Sequence, residues 1–227
     1  MSQAVNGRRY HSPRRAEQAA ATRHAVLTSA RKLFTEQGYA ATTVAAVAAG
    51  AQVAVDTVYA AVGRKPELLR EVVETAISGT DLAVPAEQRR YVQRIHEAPT
   101  AAGKVAVYAR AIGTVLDRLG PVYLALRDAA STDPDCRELW ADISARRATN
   151  MRAFVADLRA TGELVTPWSD DELADLVWSM NAPEYWALLV HERGWSTDRL
   201  TAWLTAAWTS MLGVAPAPPQ GAGTQEG

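Results

Sequence analysis

The 227-residue chain has one cysteine, Cys136. A single thiol excludes an internal disulfide framework and a cysteine-based zinc site, and it suits a reducing compartment. The four histidines, His11, His24, His96 and His191, fall in no metal-ligand spacing. No Ser or Cys motif pairs with a base, and no GxGxxG or Walker-type glycine loop occurs, so neither a metal nor a cofactor is expected. Between the terminal segments 1–14 and 214–227, hairpin signals such as Asn-Gly are missing, as are sustained runs of alternating apolar and polar residues. Long hydrophobic runs are missing too. Residues 37–55 carry no charge, but they hold mostly Ala with Thr42, Thr43, Gly50 and Gln52, and no Leu, Ile or Phe. Their transfer energy is too weak for a membrane span. The first fifteen residues, "MSQAVNGRRYHSPRR", are polar and basic rather than apolar, which argues against a signal peptide. A soluble, cytoplasmic protein is expected.

What is present is helix. The charge is uneven: residues 1–65 carry nine Arg or Lys against Glu17, Glu36 and Asp56, a net of +6. Fifteen basic and twenty-two acidic residues follow, a net of −7. A basic first quarter ahead of an acidic body points to a polyanion partner for that quarter alone. Ala and Arg richness accords with a GC-rich bacterial genome. Residues 1–14 read as a basic arm and 214–227, "VAPAPPQGAGTQEG", as a tail too poor in apolar surface to order itself.

Between them, a first helix is expected over 16–37, ended by Gly38 as a left-handed C-cap. Thr42 is the expected cap of a short helix over 43–49, and a third helix covers 55–62. Pro66, in a first turn where its missing N–H costs nothing, opens a fourth. Further helices are expected near 85–97, 101–119, 121–131 and 135–161, with Gly120-Pro121 and "STDPD" as breaks. Ser169 with Glu172 makes a capping box, stapled by Trp168 onto Leu173, and Trp195-Ser196 repeats the device with Leu200. Asn181-Ala182-Pro183 kinks or restarts a helix.

Three short helices with a tight turn before the third make a helix-turn-helix candidate. The third helix enters the major groove, so its leading residues must be small. Ala54 and Val55 suit a thymine methyl, and Asp56 a cytosine amine. Thr57 and Tyr59 offer hydroxyls to phosphates, as do Thr42 and Thr43 one helix earlier. Lys65 and Arg64 add charge beside a helix dipole that favours anions, and Arg14 and Arg15 belong to the basic arm.

The order "RHAVLTSARKLFTEQGYAATTVAAVAAGAQVAVDTVYAAVGRKPELL" resembles the DNA-binding domain of TetR-type transcriptional regulators. Arg23, Leu27, Ala30, Leu33-Phe34, Gly38-Tyr39, Thr42-Thr43-Val44, Val47-Ala48, Ala51, Val53, Thr57, Tyr59, Lys65 and Leu68 carry it. Departures are Gln52 where the family has its turn Gly, and Ala54 where a Ser caps the recognition helix. Ala61-Val62 stands in place of His-Phe, and Arg64 in place of Ser or Asn.

The resemblance implies an all-α homodimer: a three-helix DNA-binding domain over 15–65 and a helical ligand-binding and dimerisation domain over 66–213. Its partners would be a palindromic double-stranded operator and a partly aromatic or apolar small molecule. The function implied is a repressor released by that ligand. Two alternatives are a helical dimer serving as a protein-interaction module and an all-α enzyme using the C-terminal cavity. All seven tryptophans lie beyond residue 139. An aromatic pocket with one cation is expected from Tyr108, Tyr123, Arg127, Trp140, Trp178, Asn181 and Tyr185, around the helix break. The dimer interface is expected from Trp186 and from the stripe Leu200, Trp203, Leu204, Ala207, Trp208 and Met211.

Overall fold

A computed structural model describes residues 13–80, 82 and 84–214. Most of the expected arm and tail therefore lies outside the described residues. The chain divides into two compact units, Met1–Val72 and Val73–Gly227.

In the first unit, α1 (Pro13–Ala41) carries α2 (Val44–Gly50), α3 (Val55–Ala61) and the start of α4 (Lys65–Ser78). Its core is small: Val26, Leu27, Ala30, Phe34, Tyr39, Val47, Ala48, Val58, Leu68 and Leu69, all buried. Phe34 and Tyr39 stack at 5.7 Å between centroids. α1 does break at Gly38, but with φ 81° and ψ 168°. That is not a left-handed helical cap; it is a backbone region open in practice only to glycine. Arg23 ties the unit together, donating to Ala61 O (3.1 Å) and to Glu71 Oε2 (2.5 Å).

The cap of α2 is Thr43, whose hydroxyl accepts from Ala46 N at 3.0 Å. The expected cap, Thr42, is buried instead and donates to Gly38 O at 2.8 Å. Its hydroxyl stitches the break at Gly38. Gly50 closes α2 against α1: a Cβ there would collide with Ser29 Oγ, which donates to Val47 O at 2.9 Å. Arg14 and Arg15 sit in the first turn of α1 rather than in an arm.

The second unit holds the end of α4, a 3-10 turn (Ala86–Gln88), α5 (Arg90–Glu97), α6 (Ala101–Ala130), α7 (Pro134–Arg159), α8 (Asp170–Met180), α9 (Pro183–Trp186), a π-helical turn (Ala187–Glu192) and α10 (Thr197–Met211). No strand forms among the described residues; Leu164 and Val214 make one isolated β-bridge. The capping box at Ser169 and Glu172 is present, and Ser196 caps α10. The expected tryptophan staples are not. Trp168 is exposed, and Trp195 packs edge-on to Trp203 with Arg199 over its ring.

α6 corrects the expected break at Gly120-Pro121: it is one 30-residue helix through both residues. An internal proline costs a helix about 3 kcal/mol, so packing must hold it. α5, α7, α9 and α10 all pack against α6. The indole of Trp186 lies on Gly120, where a Cβ would come within 2.5 Å of the ring. Trp186 Nε1 donates to Asp117 Oδ1 at 3.2 Å, and the Thr197 hydroxyl donates to the other carboxylate oxygen.

A second correction concerns the expected interface. Leu200, Leu204, Ala207 and Trp208 on α10, and Trp186 on α9, are buried in their own unit's core. α10 turns its broad apolar stripe onto α6, which leaves Trp203 and Met211 exposed.

Candidate DNA interface and ligand cavity

α2 and α3 meet at 96°, joined by a turn over residues 51–54. That angle lies in the helix-turn-helix range of about 90–120°. The turn is made by Gln52 with φ 58°, the one non-glycine at positive φ among the described residues. Gln52 thus adopts the conformation a glycine takes without strain.

α3 has two faces. Val58 is fully buried against the core, while Ala54, Val55, Asp56, Tyr59 and Ala60 are exposed. The small leading residues and the tyrosine thus share the open side. Ala54 is the N-cap and supplies no side-chain hydrogen bond. A capping Ser or Thr is worth about 1 kcal/mol, so the start of this helix is under-stabilised by that amount. Thr57 is half-buried.

Thr43 is exposed but its oxygen is engaged as a cap, and Thr42 is withdrawn into the core. Lys65 rests over the Tyr39 ring at 4.1 Å with its Nζ 3.4 Å from Ala40 O. Arg64 pairs with Glu67 at 2.9 Å, and its backbone N–H also reaches that carboxylate. The Arg64 guanidinium and backbone N–H hold the Glu67 carboxyl below the usual carboxylate range. Thr42 is therefore removed from the phosphate-facing set.

In the second unit, α5, α6 and α7 enclose a cavity of about 870 Å³. Ligand sites run from about 300 to 1,000 Å³. Ile77, Val92, Ile95, Tyr91, Ile112, Leu116, Ile143 and Phe154 make it largely apolar. Of the seven expected pocket residues, Tyr108 and Asn181 line it. Tyr123 packs on Trp140 at 4.5 Å, Tyr185 accepts from Trp203 Nε1 at 2.7 Å, and none of these lines the cavity. Trp178 is also outside it. Arg127 sits on the surface between Asp128 and Glu184. The expected cation is replaced by three arginines that the sequence did not single out, Arg89, Arg146 and Arg147.

The polar end of the cavity is built around the helix break. Asn181 is buried; its amide nitrogen donates to Tyr108 Oη at 2.7 Å and contacts Met151 Sδ at 3.0 Å. Arg147 Nη2 donates to Trp178 O at 2.8 Å and also to Asn181 Oδ1. An arginine thus occupies the carbonyl freed where α8 ends. Burial pushes the Tyr108 hydroxyl well above the usual phenol range, with the Tyr91 charge adding to it. Burial also raises Tyr123, against the opposing pull of Arg147. Arg146 pairs with Glu74 at 2.5 Å and Asp142 at 3.3 Å. At the other end, Asp157 takes Lys104 at 2.9 Å and His96 at 3.6 Å.

No helix among the described residues is by itself long and apolar enough to cross a membrane. Residues 26–72 match the family model of the bacterial regulatory proteins of the tetR family. No curated protein matches the chain. Solved structures do, at low identity. The fatty acid degradation regulator FadR from Bacillus halodurans superposes with a TM-score of 0.68 at 16% identity, over 85% of this chain and 95% of its own. A transcriptional regulator from Saccharomonospora viridis, in complex with choline, gives 0.64 at 19% over 86% and 98%. A TetR-family regulator from Rhodococcus sp. gives 0.64 at 16% over 85% and 99%. These likenesses establish a shared all-α fold, and the match over residues 26–72 identifies that segment as the DNA-binding domain of the tetR family of bacterial regulatory proteins.

Proposed function

We propose that the protein is a homodimeric repressor that a small molecule releases from a palindromic operator. The observation that carries this reading is an apolar cavity of about 870 Å³ in one unit of a chain whose other unit presents an open helix-turn-helix face. Ala54, Val55, Asp56 and Tyr59 are the base-facing and phosphate-facing candidates on α3; Thr43, Lys65 and Arg64 flank them, and Arg14 and Arg15 extend the basic surface along α1.

In a dimer, two copies of α3 must sit about 34–36 Å apart, or a multiple of that, to reach both half-sites. Ligand binding would favour a spacing that no longer fits. Turning occupancy from mostly bound to mostly free needs a ligand preference of about 5.5 kcal/mol between the two states. A cavity that buries most of a drug-sized apolar body is suited to supply it. The exposed apolar side chains Leu188, Trp203 and Met211 are the residues proposed to be covered by the second copy. The solved relatives regulate fatty acid degradation in one case and hold choline in another, which agrees with a fold that takes small molecules. In this reading the chain is a regulator and not an enzyme.

The test is retention of fragmented DNA from the source genome at low and moderate salt, followed by sequencing. Recovery of a few fragments sharing a palindrome is expected, and Tyr59→Ala should lose them. Lys65→Ala should weaken all DNA alike and reduce the salt slope by about one. Uniform weak retention of every fragment would remove the operator reading.

A further inference from the structure

The charges around the cavity do not balance in pairs. Glu74 is held by Arg146, and Asp157 by Lys104 and His96. Arg147 lines the same space and makes no ion pair among the described residues. Its two hydrogen bonds both leave through Nη2, and its guanidinium lies over the Trp178 ring at 5.1 Å. A guanidinium has five N–H donors in a fixed fork, so most of that fork is unspent. A half-buried cation facing apolar walls is costly unless an anion meets it. Tyr108 Oη, already an acceptor for Asn181, lines the cavity with it. Beyond this polar end the wall is largely aliphatic and aromatic, with Glu87, Arg89, His96 and Asp157 also on it.

We propose that the ligand of this cavity is an organic carboxylate with an apolar body, its carboxylate seated on Arg147 and its body against Ile112, Leu116 and Phe154. This rests on the reading of the second unit as the effector-binding unit. Arg147 gives planar, bidentate recognition of a carboxylate. A quaternary ammonium such as choline is disfavoured at this end: Glu74 and Asp157 are already met by their own partners, the exposed Glu87 lies elsewhere on the wall, and the charged group at the buried Asn181–Tyr108 end is a cation. Sequence position gave no hint of this, since Arg146 and Arg147 are adjacent and only one of them is paired.

The test uses the full-length protein and three probes of one shape: decanoate, 1-decanol and decyltrimethylammonium, with 4-phenylbutyrate as a second carboxylate. Calorimetric titration is expected to show a carboxylate binding about tenfold or more tighter than decanol, and the ammonium weakest. Arg147→Gln should abolish that preference while decanol binding stays within about twofold. The wild-type comparison needs no variant, so the proposal remains open to refutation if Arg147→Gln does not fold. Equal binding of acid and alcohol, tighter binding of the ammonium, or no binding of either carboxylate would overturn it.

Operator retention read alongside separates this from the broader function. Carboxylate binding with the expected preference but no loss of operator DNA upholds the anion site and removes ligand release. Release by the ammonium instead overturns the anion site and leaves the regulator reading intact.

Discussion

The indole of Trp186 lies where a side chain on Gly120 would begin: a Cβ at Gly120 would stand 2.5 Å from Cε3 and 2.7 Å from Cζ3 of that ring. The glycine in the middle of α6 is therefore a seat for a tryptophan from α9. The ring is buried, and its Nε1 is fixed by Asp117 one turn earlier on the same helix.

Gly120→Ala separates two effects of opposite sign. In an open helix, Gly to Ala gains about 1 kcal/mol. Here overpacking against a rigid ring should win, and a net loss of about 1–3 kcal/mol is expected. Urea unfolding of the two proteins, read through tryptophan fluorescence, checks it. A variant more stable than the parent would show that Trp186 yields easily.

At Gln52 a substitution should stabilise the protein. A non-glycine residue in the left-handed region is strained by about 1–2 kcal/mol, part of which Gly returns as extra freedom of the unfolded chain. Gln52→Gly should stabilise the α2–α3 turn by about 0.5–1 kcal/mol. Hydrogen exchange of α2 and α3 amides should slow by about two- to fivefold. Unchanged exchange would mean that the Gln52 side chain offsets the strain.

What the sequence made legible was local. Ser169 with Glu172, Ser196, the α2–turn–α3 segment and the uncapped Ala54 are all governed by residues within four positions of each other, and each appears as expected. The misreadings share one cause, in that a distant residue decides. Gly120-Pro121 reads as a break until Trp186 arrives from sixty-six positions away to pack on it. The stripe of Leu200, Leu204 and Trp208 is apolar whichever surface it meets; periodicity says that a face is buried, not whether the same chain buries it. Thr42 and Thr43 are equivalent as caps in sequence, and the break at Gly38 chooses between them. Arg147 has no local signal at all, because its meaning lies in the carbonyl of Trp178 and in the carboxylate it lacks.

Alkaline pH should weaken the second unit through Tyr108. Burial holds its hydroxyl above the ordinary pKa of 10.0. Above that pH the unfolded chain has lost this proton while the folded chain keeps it, so the unfolded state binds fewer protons and stability falls as pH rises. Full stability is present below about pH 10 and declines above it. Tyr108→Phe should flatten the fall of Tm between about pH 9.5 and 11.5. At neutral pH the same variant should lose about 1 kcal/mol, since Asn181 loses its phenolic acceptor. An unchanged alkaline slope would place the titrating group elsewhere.

Ser29 and Gly50 offer a test in which two destabilising changes partly cancel. Ser29 Oγ is buried and donates to Val47 O, and it fills the space that a side chain on Gly50 needs. Gly50→Ala alone must push that hydroxyl off its acceptor, leaving a buried donor unpaired at a cost of about 1–3 kcal/mol. Ser29→Ala alone gives up one buried hydrogen bond, about 1 kcal/mol. With Oγ gone, the new Cβ would meet the Cβ of residue 29 at 3.4 Å, ordinary contact, so the double variant has room. It should be no less stable than Ser29→Ala, and the cycle should show a favourable coupling of about 1–2 kcal/mol. Because Ser29 lies on α1 and Gly50 ends α2, neither on the exposed face of α3, DNA affinity should follow stability through the cycle. Additive losses would show that α1 and α2 can slide apart, and that this contact does not fix the seat of α2 on α1.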